Sequence, residues 1–310
     1  MALKGATERP PFLGHTRRVS SVRLSRDGRL ALSGSLDRTL RLWDVADGRC
    51  VRVFEGLASE VNAVFLSPDA RTAFSATGEL LAGENLVRLW ELSTGRTVRD
   101  LRGHEGEVSA LDVDVARGRM VTGGVDSTVR TWDLPSGECR RTLRGHGGWV
   151  RSVALVPQTE DVVSGGMDGS VRLWDVSTGA SRWDVNAHAG GVHAVVVTPD
   201  GQRVLSGGRD RTLRTWDLRT GKALGVIEGH EEAVRAIALS ADGRSAISGG
   251  QDKTVRLWEL EAGRCAWKGT TTGWVLAVAL SADGRWAAAG TYDRKVVLWE
   301  LDWGQAPGAA

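Results

Sequence analysis

Short apolar runs separated by turn residues recur along the chain. Typical runs are Val150–Leu155, Val162–Ser164 and Ser170–Trp174, and typical turns between runs are Asp168-Gly169 and Asp242-Gly243. No stretch keeps the 3.6-residue apolar period of a helix, so the pattern predicts β-strands joined by tight turns. The runs are nearly continuous rather than alternating in apolar residues, which is typical of sheets packed on both faces.

Tryptophan carries a longer period. The chain has 13 Trp against one Tyr and four Phe. Seven Trp recur at intervals of 41 to 47 residues, and an acid follows each: Trp43-Asp44, Trp90-Glu91, Trp132-Asp133, Trp174-Asp175, Trp216-Asp217, Trp258-Glu259 and Trp299-Glu300. Another acid stands six positions before each: Asp37, Glu84, Asp126, Asp168, Asp210, Asp252 and Asp293. Five of the seven Trp have a His 28 positions upstream: His15, His104, His146, His188 and His230. Such a period indicates an array of repeated supersecondary units.

These spaced residues resemble the signature of the WD-repeat family, in its stand-alone seven-repeat form. The pairs that carry the resemblance are Gly14-His15 with Trp43-Asp44, Gly103-His104 with Trp132-Asp133, Gly145-His146 with Trp174-Asp175, and Gly229-His230 with Trp258-Glu259. The resemblance covers nearly the whole chain. It implies an all-β fold, a seven-bladed β-propeller with four strands in each blade.

The resemblance also implies a hydrogen-bond chain in each blade, from the Trp through a Ser or Thr and a His to the Asp of a tight turn. Five sets of residues match: His15, Ser33, Asp37 and Trp43; His104, Thr122, Asp126 and Trp132; His146, Ser164, Asp168 and Trp174; His188, Ser206, Asp210 and Trp216; His230, Ser248, Asp252 and Trp258. Breaking one link is expected to cost ~1–3 kcal/mol, because it leaves a buried polar group unsatisfied.

Two repeats depart from this pattern. The second has Leu57 in place of the His and Glu84 in place of the Asp. The seventh has Thr271 in place of the His and Ala289 in place of the Ser. We expect packing to hold these two blades, and we expect them to be locally softer.

Closure of the ring is expected to involve the N-terminus. Few residues follow Trp299-Glu300, so we expect residues 6–13 to supply the outer strand of blade 7, with Pro10 and Pro11 compatible with an edge strand. The single propeller domain is then 6–303, and 304–310 is expected to be a flexible tail. The expected blades are 16–56, 58–102, 105–144, 147–186, 189–228, 231–268, and 272–302 with 6–13.

Composition, charge and the N-terminal segment narrow the range of possible functions and partners. The net charge of +2 does not favour nucleic acid as a partner, and no apolar run is long enough to span a membrane. The N-terminus lacks the features of a secretory signal and the chain has three Cys, so we expect a cytoplasmic protein without a disulfide framework. Of the six His, only His193 lies outside the repeat pattern, and a lone His cannot form a metal site. We therefore expect no catalytic residues, no metal site and no cofactor.

Binding residues are sought where the repeat leaves the residue type free. The His loops and Asp turns are expected to share one end of the propeller, where three positions in each blade vary. The candidates on this face are Arg18, Trp149, Arg151, Met167, His193, Arg209, Arg235, Trp274 and Tyr292. Aromatic residues and Arg are favoured at interface hot spots. Blades 2 and 3 offer Glu60 and Glu107 there, so the face is expected to be basic on one side and acidic on the other.

A longer turn in the second repeat adds two candidates. Ser75 lies 15 positions before Trp90, whereas Ser33 lies ten before Trp43, so five extra residues enter this turn. We expect the insertion to project from the binding end, with Leu80 and Leu81 as apolar anchors or, alternatively, folded back onto a neighbouring blade.

The sequence therefore predicts a non-catalytic scaffold or recognition module, monomeric by itself, that binds a protein or peptide on the His/Asp-loop face. Two alternatives stay open. One is a propeller enzyme acting at the central channel, and the other is the sensor subunit of a larger bacterial signalling assembly.

Overall fold

The computed structural model describes residues 3–79 and 84–303. This part of the chain contains 28 β-strands in seven four-stranded antiparallel sheets, which are the blades of a propeller. No helix long and apolar enough to cross a bilayer occurs in it. The prediction of an all-β, seven-bladed propeller is confirmed, whereas the expected tail at 304–310 lies outside the described residues.

Each blade runs from an inner strand at the channel to an outer edge strand. The strands are, for blade 1, β2 (Val19–Leu24), β3 (Leu30–Ser35), β4 (Leu40–Asp44) and β5 (Cys50–Phe54); for blade 2, β6 (Val61–Leu66), β7 (Thr72–Thr77), β8 (Leu86–Glu91) and β9 (Thr97–Arg102); for blade 3, β10 (Val108–Asp114), β11 (Arg119–Gly124), β12 (Thr128–Asp133) and β13 (Cys139–Arg144); for blade 4, β14 (Val150–Leu155), β15 (Val162–Gly166), β16 (Ser170–Trp174) and β17 (Ser181–Asn186); for blade 5, β18 (Val192–Val197), β19 (Arg203–Gly208), β20 (Leu213–Asp217) and β21 (Ala223–Ile227); for blade 6, β22 (Val234–Leu239), β23 (Ser245–Gly250), β24 (Thr254–Glu259) and β25 (Arg264–Thr270); and for blade 7, β26 (Val275–Leu280), β27 (Trp286–Thr291), β28 (Val296–Asp302) and β1 (Gly5–Phe12).

The N-terminal strand closes the ring, as predicted. β1 pairs antiparallel with β28, from Gly5 opposite Asp302 to Phe12 opposite Val296, with a register shift across the two prolines. Phe12 is buried and stacks on Trp43 of blade 1, with ring centroids 5.4 Å apart. The N-terminal strand therefore completes blade 7 and also anchors it to the neighbouring blade.

Glycine pairs allow close packing within and between blades. A Cβ added to Gly165 would lie 2.5 Å from Val192 Cγ1 of the next blade. A Cβ added to Gly166 would lie 2.5 Å from His146 Nδ1 and 2.6 Å from Asp168 Oδ1. The first glycine of each pair thus lets adjacent blades touch, and the second makes room for the polar network of its own blade.

Candidate binding site

The five complete repeats build the same polar network. Across these repeats, the His Nδ1 lies 2.8–3.0 Å from the Asp carboxylate and the His Nε2 lies 2.7–2.8 Å from the hydroxyl. The Trp Nε1 donates to the same hydroxyl over 2.7–2.9 Å. Since all five copies serve the fold of their own blade, none of these His or Asp side chains is free for other chemistry.

The proton positions in blade 4 follow from the partners. Burial lowers the pKa of His146, although Asp168 opposes this effect, so the imidazole is neutral at pH 7. Because the Asp168 carboxylate only accepts, Nδ1 carries the hydrogen and Nε2 accepts from Ser164. Burial would raise the pKa of Asp168, but hydrogen bonds from the Gly147 and Ser170 N–H groups and the His146 interaction lower it.

The network also holds a strained turn. The residue after the turn Asp has a left-handed φ of 61–72° in blades 1, 3, 5, 6 and 7, where it is Arg38, Ser127, Arg211, Lys253 and Arg294. Non-glycine residues rarely adopt this conformation. The aspartate contacts offset the strain and fix the end of each blade from which the variable residues project.

Blades 2 and 7 retain only parts of the network. Trp90 Nε1 still donates to Ser75 over 2.9 Å, but Leu57 is buried against the core in place of the His. Glu84 pairs with Arg102 at 2.9 Å. In blade 7, Asp293 contacts the Thr272 hydroxyl and lies 3.1 Å from Lys295 Nζ. Both contacts are made by Oδ2, whereas Oδ1 is buried and has no hydrogen-bond partner among the described residues. The turn Asp of blade 7 is therefore held by surface partners through one oxygen only.

One face of the propeller opens into a depression of about 620 Å³ at the mouth of the channel. The residue after the leading Val of every blade lines this channel mouth: Ser20, Asn62, Ser109, Arg151, His193, Arg235 and Leu276. Above these residues stand Arg18, Trp149, Trp274 and Tyr292, together with Glu60, Glu79 and Glu107. Five members of the second set directly precede the leading Val of their blade, whereas Tyr292 precedes the turn Asp of blade 7 and Glu79 lies in the longer turn of blade 2.

Seven candidates from the sequence come together at the channel mouth: Arg18, Trp149, Arg151, His193, Arg235, Trp274 and Tyr292. Met167 and Arg209 lie outside its lining. Met167 covers Gly191, whose added Cβ would meet its Sδ at 3.2 Å, and Arg209 lies across Gly190. Leu80 and Leu81 fall outside the described residues.

The aromatic residues at the channel mouth are exposed. Trp149, Trp274 and Tyr292 keep 41%, 43% and 49% of their surface accessible. Trp274 and Tyr292 contact each other, with ring centroids 5.3 Å apart, and the Arg18 guanidinium lies 5.8 Å from the Tyr292 centroid. Large aromatic side chains on a rigid rim present apolar area at little entropic cost.

The two sides of the channel mouth differ in charge and in pairing. On the acidic side, Glu60 pairs with Arg17 at 2.6 Å and Glu79 pairs with Arg38 at 2.8 Å. Burial raises the pKa of Glu107, an effect opposed by Arg151. On the basic side, burial lowers the pKa of Arg235 to about 10, and repulsion from neighbouring guanidinium groups adds to this shift.

Asn62 and Ser109 are lining residues that the candidate set did not include. The Ser109 hydroxyl donates to Gly123 O over 3.0 Å and contacts Val150 O, and Asn62 Nδ2 donates to Val108 O over 3.2 Å. Both bridge to the inner strand of the next blade. They occupy the same repeat offset as Arg151 and His193, so the period itself locates them.

A family model supports the same repeat. The model described as "WD domain, G-beta repeat" matches residues 8–44, 95–133, 137–175, 179–217, 221–259 and 263–300. The chain belongs to the WD-repeat family. Residues 45–94 are unmatched, and they include Leu57 and Glu84, the departures in blade 2. Each matched segment ends at a signature Trp-Asp or Trp-Glu pair, so the sequence repeat is offset by one strand from the blade.

Three relatives share parts of this WD-repeat chain. A ribosome biogenesis protein BOP1 homolog of Monosiga brevicollis is 40% identical over 65 residues, which cover 21% of this chain and 8% of the relative. Nuclear distribution protein PAC1 of Arthroderma otae is 40% identical over 76 residues, covering 22% and 16%. Small ribosomal subunit protein RACK1 of Drosophila melanogaster is 59% identical over 39 residues, covering 13% and 12%. The matches span small fractions of these relatives.

Proposed function

We propose that this WD-repeat propeller is a non-catalytic interaction module that binds a protein or peptide across the channel mouth. The observation that carries the proposal is the exposure of Trp149, Trp274 and Tyr292 around a single depression. Trp, Tyr and Arg are enriched at the energetically dominant positions of protein–protein interfaces. The family membership supports the same class of function.

The channel residues favour binding over catalysis. The described residues hold no group of three or more His, Cys, Asp or Glu side chains suited to a metal ion. The titratable groups that line the channel and that the repeat does not explain are Arg23, Asp112, Arg151, His193 and Arg235. The proposal includes a monomeric, cytoplasmic chain, which rests on composition alone.

Paired substitution tests the proposed binding site. Replacing Trp149 with Ala and Arg151 with Gln should abolish co-purification of the partner from the native host. The melting temperature should stay within about 2 °C of the wild type, because Trp149 is exposed and Arg151 has no ion-pair partner among the described residues. A matched control replaces Leu224 with Ala and Arg219 with Gln, both exposed and away from the channel mouth. If the first pair unfolds the chain or leaves capture intact, the binding role of these residues is wrong.

A further inference from the structure

The basic side of the channel mouth is not neutralised by the protein itself. Arg18, Arg151 and Arg235 line the same depression. No described carboxylate lies within ion-pair distance of any of the three. The nearby acids Glu60 and Glu79 are already paired with Arg17 and Arg38. Glu107, the remaining acid of the depression, lies beyond ion-pair distance and only partly offsets the charge of Arg151. The three guanidinium groups therefore share one depression without a direct carboxylate partner.

His193 adds an unused donor to this group. Burial, followed by repulsion from Arg235, Arg151 and Arg209, lowers its pKa to about 3, so the imidazole is neutral at pH 7. Arg235 Nη1 lies 3.3 Å from His193 Nε2, and because Arg only donates, Nε2 is the acceptor. The hydrogen therefore sits on Nδ1, which is buried and has no hydrogen-bond partner among the described residues. A buried donor without a partner is costly.

We propose that Arg18, Arg151, Arg235 and His193 form an oxyanion pocket that receives a carboxylate or phosphate side chain of the bound peptide. This inference rests on the proposed function, namely that a peptide docks at the channel mouth. An oxyanion would accept from the guanidinium groups and relieve their mutual repulsion.

The opposite wall argues against a nucleic acid in this pocket. Glu60, Glu79 and Glu107 face the same depression and would repel an extended phosphate backbone. A single anionic side chain meets the basic wall alone, while Glu107, which has no ion-pair partner among the described residues, remains available to a donor or cation elsewhere on the peptide. The charge division therefore also orients the peptide across the channel mouth.

Small anions test the pocket without a partner. The purified full chain is titrated with inorganic phosphate and, separately, with glutarate, with ionic strength held constant by sodium chloride. The melting temperature should rise with the logarithm of the anion concentration, and the His193 imidazole resonances should shift, with a higher pKa in the presence of anion. A response to phosphate alone indicates a phosphorylated side chain, and a response to both anions indicates Asp or Glu.

Variants distinguish anion binding in the pocket from a general effect of positive charge on the surface. Arg151→Gln with Arg235→Gln should remove both responses, and its basal melting temperature should equal or exceed that of the wild type because repulsion is relieved. The control, Arg96→Gln with Arg219→Gln, changes two exposed Arg in turns at the opposite end and should respond like the wild type. The proposed pocket is wrong if neither anion shifts the His193 resonances. It is also wrong if the double variant still responds to the anions, because the response would then come from an adventitious ion only.

The same titration keeps the two proposals apart. If no anion binds but capture still depends on Trp149, the binding site stands and only the oxyanion pocket fails. If anions bind but the Trp149→Ala/Arg151→Gln variant still captures the partner, the proposed function fails. Displacement of phosphate from the pocket by a single-stranded oligonucleotide would contradict the assignment of a peptide side chain.

Discussion

The hydrogen-bond networks and the channel mouth are built from neighbouring residues of the same loops, yet they differ in how they repeat. His146 and Asp168 recur with the same contacts in five blades. Trp149 and Arg151, a few positions away, have no equivalent in most blades. The comparison teaches that repeated polar residues in this chain stabilise the blades, whereas unrepeated ones at the channel mouth are available to a partner.

The largest expected effect concerns closure, on which every blade depends. Deleting residues 1–13 removes β1, exposes the edge of β28 and uncovers Trp43 where Phe12 stacks. Loss of Phe12 alone is expected to cost about 3–5 kcal/mol, so the deletion should lower the melting temperature sharply. Leu13→Ala is the control, because Leu13 is 64% exposed. Circular dichroism melts measure both; an unchanged melt for the deletion would contradict closure by the N-terminus.

The second effect contrasts a complete network with an incomplete one. Asp168→Ala should cost ~1–3 kcal/mol, because it leaves His146 Nδ1 and the Gly147 N–H without an acceptor. Asp293→Ala should cost less, because the partners it loses, Thr272 and Lys295, are at the surface. Chemical denaturation gives the two free energies of unfolding. Equal values would mean that these turns do not depend on the network.

A third effect, which develops only below neutral pH, is a pH dependence that spans both regions. The pKa values of His146, His188 and His193 are all lowered, mainly by burial. Below about pH 6.5 the unfolded chain therefore binds protons that the folded chain does not, so stability falls as the pH falls. For His193 this loss continues to about pH 3.

Substitution isolates the contribution of the channel mouth to this pH dependence. His193→Gln should flatten the decline in the free energy of unfolding between pH 6.5 and 4. His15→Gln is not a suitable control, since it breaks a network, so the matched variant is Gln251→Ala on the same face. An unaltered slope in the His193 variant would mean that folding does not shift the pKa of this imidazole.

Sequence alone predicted the propeller and the network partners, because a fixed period places equivalent residues at equivalent points of every blade. It also placed Arg151, His193 and Arg235 at variable positions of one face, and these three residues line the channel mouth. The pairing of Glu60 with Arg17 and the unused donor of His193 were not predictable. These features depend on side-chain conformations and on neighbours from other blades. Met167 and Arg209 were predicted on the same face, and for the same reason the sequence did not show that they lie beside the lining of the channel mouth.

The contrast between repeated and unrepeated residues is tested most directly by measuring capture and stability together. Asp168→Ala and the Trp149→Ala/Arg151→Gln double variant are compared at a temperature at which both are folded. Asp168→Ala should melt earlier and still capture the partner, whereas the double variant should melt like the wild type and capture none. Loss of both properties in the double variant, or of capture in Asp168→Ala while it remains folded, would contradict the division between stabilising network and binding face.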